Sequence, residues 1–179
     1  MAVLYDGGNN GDHHYERGCP VLKPKNSFIA RGGLWVLAQI PLMLAVLVVP
    51  LWHGAGHFIP DGMLSVVGMV LTLSGFFLAV WALRSLGDAL TPFPQPLDGV
   101  MLNQRGPYRW MRHPIYSGVL LAGFGWALWW LSAAGAICAL VLSVFFDRKA
   151  AYEENWLRQK YPEYSNYAQR VKKFIPGVY

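Results

Sequence analysis

IYSGVLLAGFGWALWWLSAAGAICALVLSVFF, residues Ile115 to Phe146, contains no Asp, Glu, Lys or Arg. A helix needs about 20 apolar residues to cross the hydrocarbon of a bilayer, so this run is too long for one crossing and comfortable for two. Gly125, the Trp129-Trp130 pair and Ala133-Ala134-Gly135 lie near its midpoint. In one tilted helix they would sit at mid-bilayer with no evident partner, so the run predicts a tight helical hairpin.

Outward from the hairpin, Leu34–Leu51 and Met63–Leu83 are almost wholly apolar and close to spanning length. The expected fold class is therefore an all-α integral membrane protein with about four transmembrane helices, the last two forming the hairpin. Pro41 predicts a kink in the first span, tolerated where neighbouring helices satisfy the freed carbonyl. Gly68, Thr72, Gly75 and Ala79 recur at helical spacing in the second span and predict a groove for close helix packing, and Gly118, Ala122 and Gly125 give the third a small face of its own.

Composition agrees with a lipid solvent. The chain is 54% hydrophobic and 14% charged, against roughly 25% charged for an average soluble domain. Its net charge of +5, with long apolar runs and many Trp and Tyr residues, fits an anionic lipid surface rather than nucleic acid. All 15 Lys and Arg fall in three segments: Arg17 to Arg31 before the first span, Arg84 to Arg112 between the second and third, and Arg148 to Lys173 after the fourth. The stretch from Trp52 to Gly62 and the turn near Ser132 have none, so the positive-inside rule places both termini in the cytoplasm.

Residues 1–33 read as a flexible cytoplasmic tail, 34–83 as the first two spans and 84–179 as the functional core. The tail lacks the apolar stretch of a cleavable signal, and His13, His14 and Cys19 lack a second ligand set at metal-binding spacing, so no metal is expected. Cys19 in water and Cys138 in the bilayer are not expected to pair. Thr91-Pro92-Phe93-Pro94-Gln95-Pro96 is too proline-rich for helix and predicts an extended strap across the helix ends. Asp147 to about Gln159 reads as a helix continuing into water and ending near Tyr161-Pro162. Tyr164, Tyr167, Val171 and Phe174 then have the spacing of an amphipathic segment on the membrane surface, with Lys172 and Lys173 toward lipid phosphates.

Two groups on that cytoplasmic face could carry chemistry. One is Gly106-Pro107-Tyr108-Arg109-Trp110-Met111-Arg112-His113-Pro114-Ile115-Tyr116; the other is Glu153-Glu154. Pro114 suits the first turn of a helix, but a helix start needs only a cap, and here Tyr108, Arg109, Arg112, His113 and Tyr116 crowd it. A helix N-terminus with several donors favours an anionic group such as a carboxylate, and carboxylates on a nearby helix would suit an ammonium or hydroxyls. The plain alternative for the second group is a solvated helix face, with Lys149–Glu153 and Glu154–Arg158 pairs worth a few tenths of a kcal/mol each.

These residues resemble the isoprenylcysteine carboxyl methyltransferases and the related phospholipid N-methyltransferases. The resemblance rests on Leu102, Gly106-Pro107-Tyr108 and Arg112-His113-Pro114-Ile115-Tyr116-Ser117-Gly118, then Glu153-Glu154-Asn155-Trp156-Leu157, Tyr161, Tyr164, Tyr167, Val171 and Phe174-Ile175-Pro176. It covers about the C-terminal half of the chain. It implies an integral membrane methyltransferase using S-adenosylmethionine, with a lipophilic small molecule or lipid as acceptor, surrounding lipids as partners, and the bacterial inner membrane as its place. Carried over position by position, the cofactor-binding residues become Val100, Met101, Leu102, Asn103, Tyr108, His113, Pro114, Ile115, Tyr116 and Glu153. The family's substrate-carboxylate arginine falls on Lys149, with Arg148 beside it. Lysine keeps the charge but lacks the bidentate fork, which leaves a lipid amine open as the acceptor. Arg148, Lys149 and Glu154 are the candidates for orienting it. A sterol-reductase-like or non-catalytic membrane protein is the reading from another class.

Overall fold

The computed structural model describes residues 28, 29, 31–53, 62–87, 90–95 and 101–179. The expectations for most of the tail, including His13, His14 and Cys19, and for Val100 fall outside these residues. Among the described residues the fold is all-α, built from α1 (Gly33–His53), α2 (Met63–Leu86), α3 (Pro114–Trp129), α4 (Ala133–Lys160) and α5 (Tyr164–Arg170), with a 3₁₀ turn at Gly106–Arg109 ahead of α3. Only α1 and α2 are both long and apolar enough to cross a membrane, with mean hydropathies of 2.3 and 2.2. α3 is a shorter apolar helix, and α4 is apolar to Phe146 and polar beyond it. Pro41 and Pro50 both lie inside α1, which stays helical through them.

The expected hairpin breaks at Trp130–Ser132, between α3 and α4. Leu131 turns the chain with a φ of 49°. The Ser132 hydroxyl then accepts the Gly135 N–H at 3.1 Å, satisfying one of the free donors at the start of α4.

α2 and α3 lie against each other along their small faces. A Cβ on Gly68 would stand 2.7 Å from the Gly125 carbonyl, and one on Gly125 would stand 2.7 Å from the Gly68 carbonyl. Gly75 and Gly118 stand in the same reciprocal relation one step along. No side chain fits between these backbones, so close van der Waals contact replaces the hydrophobic effect that lipid cannot supply. The other principal packing is α1 on α4, with α4 on α3 beside it. Their core centres on Val46, Leu142, Phe146, Ala150 and Phe174. Trp126 of α3 donates to the Leu47 carbonyl of α1 at 2.9 Å.

The outer surfaces of these helices are apolar. Phe77 is 65% exposed and Val144 62%. A surface of this kind is stable facing acyl chains and not water, and the protein is a membrane protein.

The polar ends of α1 and α4, the loop from α2 to α3 and α5 gather at one end of the bundle. Phe28, Ile29 and Arg31–Gly33, expected as tail, form a turn into α1 instead: the Gly33 N–H donates to Phe28 O at 2.9 Å, and the Phe28 ring meets Phe93 edge-on at 5.6 Å. The Arg31 guanidinium lies 4.4 Å from the centre of the same Phe93 ring, so this turn holds the Thr91–Gln95 strap.

The C-terminal segment departs from expectation. Tyr164, Tyr167 and Phe174 are 1%, 3% and 9% exposed, so their faces point into the protein and not toward lipid. The reason is backbone pairing: the Arg112 and His113 N–H groups donate to the Lys172 and Lys173 carbonyls at 2.8 and 3.0 Å, and Tyr167 donates its hydroxyl to the Tyr108 carbonyl. Lys173 is held by Asp147 and not by lipid phosphate, while Lys172 is exposed.

Gly75→Leu should separate α2 from α3 and cost about 3 kcal/mol or more, whereas Phe77→Leu on the outer face of α2 should stay within about 0.5 kcal/mol. Thermal unfolding of detergent-solubilised protein checks this, and equal melting temperatures for the two variants would contradict the interlock.

Candidate functional site

A cavity of about 390 Å³ lies at the polar end of the bundle, walled by α1, α2, the strap, the segment before α3, α3, α4 and α5. That volume lies within the usual range of small-molecule sites. Its wall on α4 is a single stripe of Lys149, Glu153 and Leu157, continued by Tyr161, the extended residue that caps the helix. Four-residue spacing keeps side chains on one helix face and advances about 6 Å per step, so the stripe runs about 12 Å from the apolar part of the bundle outward. α1 and α2 both line the cavity, yet α1 packs mainly on α4 and α2 on α3.

Opposite the stripe stands the start of α3. Pro114 is its first residue and His113 the residue before it, with no side-chain cap. The His113 ring is buried and lies between the two glutamates. Its Nε2 is 3.1 Å from Glu154 Oε1 and its Nδ1 3.9 Å from Glu153 Oε2. Tyr116 stacks on that ring with planes 3° apart and donates its hydroxyl to Glu153 Oε2 at 2.9 Å. It also stacks on Phe146 with ring centres 4.5 Å apart. An imidazole, a phenol and a carboxylate are thereby fixed together at the mouth of α3.

Glu154 does not line the cavity. It is 4% exposed, and besides the His113 contact it accepts hydrogen bonds from Arg112 Nε at 2.9 Å and from the Arg158 guanidinium at 3.1 Å. Arg112 in turn donates to the Ala168 and Val171 carbonyls at 2.8 and 2.7 Å, tying the cluster to the C-terminal segment. Burial by itself would push the Glu154 carboxyl up. The hydrogen bond and charge of His113, joined by Arg112, override it and hold the group at about 2. Because Glu154 is a carboxylate, it accepts, and His113 Nε2 carries the proton that faces it.

Lys149 is 2% exposed, with its ammonium 2.5 Å from Gln39 Oε1 and 3.4 Å from the Pro92 carbonyl. The Tyr116 ring lies 5.4 Å away. Burial pushes this amine below its ordinary value, and the Glu153 charge opposes the shift. Among the described residues no carboxylate lies within ion-pair distance of it.

Of the residues expected from sequence, Met101, Leu102, Asn103, Tyr108, His113, Ile115, Tyr116, Lys149 and Glu153 come together on the cavity wall. Asn103 is locked by donating to Ser85 O at 2.6 Å and accepting the Arg105 N–H at 2.9 Å. Pro114 is buried just behind the wall, Arg148 is outside it, and Glu154 is enclosed in its own cluster. Sequence reasoning missed Gln39, the α1 contribution. It is the one amide side chain in a helix that is apolar apart from it and the terminal His53, and a polar group at such a position is itself a signal of function. It also missed the Leu83 and Leu86 wall from α2, and it placed Tyr161 at a helix end and Tyr164 and Tyr167 on the membrane surface, whereas all three close the outer end of the cavity.

The family model described as "Phospholipid methyltransferase" matches residues 63–164, which carry α2, α3, α4 and most of the cavity wall. The chain belongs to the phospholipid methyltransferase family. Among curated relatives of this methyltransferase-family chain, a rice (Oryza sativa subsp. indica) protein named "Probable protein-S-isoprenylcysteine O-methyltransferase" is 34% identical over 118 residues, covering 64% of this chain and 62% of that one. The Arabidopsis thaliana "Protein-S-isoprenylcysteine O-methyltransferase B" is 40% identical over 75 residues, 41% of this chain and 38% of that one. The "Cobalt-zinc-cadmium resistance protein CzcN" of Cupriavidus metallidurans is 33% identical over 74 residues, 41% of this chain and 34% of its own. The alignment thus spans about three fifths of the length of the rice relative.

A carboxylate held near 2 in the fold, against an ordinary 4.5, contributes stability that is complete above about pH 4.5 and drains away as pH falls toward 2. Wild-type protein in detergent should therefore melt at lower temperature at pH 3 than at pH 6. Glu154→Gln should start lower at pH 6, because it leaves half-buried Arg112 without its carboxylate, and should lose less between the two. A wild-type and variant drop of the same size would contradict the cluster.

Proposed function

We propose that this protein is an integral membrane S-adenosylmethionine-dependent methyltransferase that acts on a lipophilic acceptor, of the isoprenylcysteine carboxyl methyltransferase type. Four helices cross the bilayer in this reading, α3 and the apolar half of α4 included, with both termini, α5 and the polar end of α4 in the cytoplasm. The placement of every Lys and Arg outside the Trp52–Gly62 and Trp130–Ser132 ends supports that orientation.

The observation that carries the proposal is the stripe on α4 facing the start of α3. Among the described residues the buried cation at its inner end has neutral oxygens and the Tyr116 ring as partners, and the carboxylate one turn out is already paired with a phenol. An acceptor carrying an anionic oxygen suits Lys149, and the ammonium of an amino acid suits Glu153. The free N–H groups at the start of α3 suit a carboxylate. Bound S-adenosylmethionine supplies an electrophilic methyl group on a sulfonium. Methyl transfer from it is an in-line displacement, for which positioning alone can contribute roughly 7–11 kcal/mol. In that division of labour His113 and Tyr116 fix the Glu153 carboxylate, Lys149 orients the acceptor, and the strap excludes water.

The flanks of α1 and α2 give the acceptor a lateral route from the bilayer past Val36, Gln39 and Leu83, while a polar cofactor reaches the cavity from the aqueous side. The names of the rice and Arabidopsis relatives favour a carboxylate as the methylated group. A phosphatidylethanolamine-type acceptor is the second reading. It is favoured by Lys149, whose compact ammonium suits a headgroup phosphate as well as a carboxylate.

Methyl transfer from labelled cofactor into prenylcysteine analogues, phosphatidylethanolamine, fatty acids and alkyl thiols tests the reading; purified, folded protein that neither binds S-adenosylmethionine nor labels any of them would sink it. Glu153→Gln should weaken cofactor binding by about tenfold or more. Lys149→Met should leave that affinity within about twofold and raise KM for an anionic acceptor by about tenfold, the worth of one charge-assisted hydrogen bond. Titration calorimetry and steady-state kinetics separate the two effects.

A further inference from the structure

Gln39 is the polar contribution of α1 to the cavity wall, and Val36 lines the wall one turn before it. α1 lies outside residues 63–164, so the family match assigns Gln39 no role. Its amide is fixed at both ends. The carbonyl oxygen accepts from the Lys149 ammonium at 2.5 Å, and the amide N–H donates to Met43 Sδ at 3.3 Å, one turn along α1. An ammonium has donors and no acceptor, so the amide meets it with its oxygen and not its nitrogen.

The charge of Lys149 is solvated in this way without being cancelled. Among the described residues two oxygens, those of Gln39 and Pro92, serve its three N–H donors, and both are neutral. The Tyr116 ring 5.4 Å away is neutral too, and Glu153 is engaged by the Tyr116 hydroxyl. A glutamate has the shape of a glutamine. At position 39 it would close an ion pair with Lys149 inside the protein and leave little attraction for a charged ligand. With an amide there instead, the inner end of the cavity keeps a buried positive charge, and a buried charge favours an opposite charge as its partner.

We infer that Gln39 is a specificity-determining residue: as a neutral partner it orients the Lys149 ammonium and leaves its charge to an anionic oxygen of the lipophilic acceptor, a carboxylate or a phosphate. The inference rests on the methyltransferase reading above and adds to it a residue from α1.

The test measures binding to full-length protein in detergent, saturated with S-adenosylhomocysteine, for two pairs of probes. One pair is an N-acetylated prenylcysteine and its carboxamide; the other is phosphatidic acid and the diacylglycerol with the same acyl chains. Wild type should prefer the anionic member of at least one pair by about tenfold or more, and the pair that shows it tells a carboxylate from a phosphate. Gln39→Glu should reduce that preference to about twofold or less. Lys149→Gln should abolish it, and adding Gln39→Lys to Lys149→Gln should restore part of it, because one cation again faces one amide. A merely structural role for Gln39 predicts a further loss in the double variant. Absence of a preference in wild type overturns the inference, and so does a wild-type preference in Gln39→Glu. Should Gln39→Glu not fold, the double variant decides: a preference no better than that of Lys149→Gln overturns the inference. Wild-type protein that does not bind S-adenosylhomocysteine sinks the parent reading and this inference with it, which distinguishes that failure from the others.

Discussion

The carboxylate of Glu154 joins α4 to the start of α3 and, through Arg112, to the C-terminal segment. It sits 4% exposed on α4 and takes hydrogen bonds from His113 just ahead of α3, from Arg112 before it, and from Arg158 on its own helix. Through Arg112 the same cluster reaches the carbonyls of Ala168 and Val171. A buried charge with several fixed donors tolerates no rearrangement that would leave it unpaired. One ionised group thereby sets the distance between α3 and α4 and fastens the C-terminal segment to both. The cavity wall is a consequence, since His113 presents one ring edge to Glu154 and the other toward Glu153.

That cluster rests on a second, wholly apolar constraint. The glycines of α2 and α3 face one another across a seam with no room for a Cβ. Such a seam fixes register without any polar group, and a bilayer interior favours this over hydrogen-bonded alternatives. The two constraints act on different pairs of helices. The seam sets how α2 and α3 lie, and the ionic cluster sets how α3, α4 and α5 meet.

Much of this was legible in the residues themselves. Gly68, Gly75, Gly118 and Gly125 announce close packing because small residues at helical spacing have little other use in lipid. The uncharged run from Ile115 to Phe146 announces a turn because it is too long for a single crossing. The paired glutamates and the crowded start of α3 could be placed on one face by counting charge. What was not legible was the direction of the C-terminal aromatics. An amphipathic pattern records that one side of a segment is apolar, and it is silent on whether that side meets lipid or protein. Tyr164, Tyr167 and Phe174 meet protein because backbone pairing of Arg112 and His113 with Lys172 and Lys173 turns them inward, and pairing between residues about 60 positions apart leaves no periodic trace. Gln39 escaped for a related reason: its partner Lys149 is on a helix distant in sequence.

The α4 stripe has a consequence for how such a protein changes over time. Lys149, Glu153 and Leu157 follow one another a turn apart along one face of α4 and Tyr161 continues the row, so distance from the apolar part of the bundle and side-chain chemistry change along the same axis. A substitution at the innermost rung alters the end of the cavity nearest the apolar part of the bundle and leaves the outer rungs, and the α5 residues beside them, where they were. With Lys149 in its proposed role, new acceptor preferences are reachable by single exchanges at that position, without first dismantling the part of the site that faces water. An inserted or deleted residue within that same stretch has the opposite character: it rotates every rung beyond it by about 100° and abolishes all of those roles together.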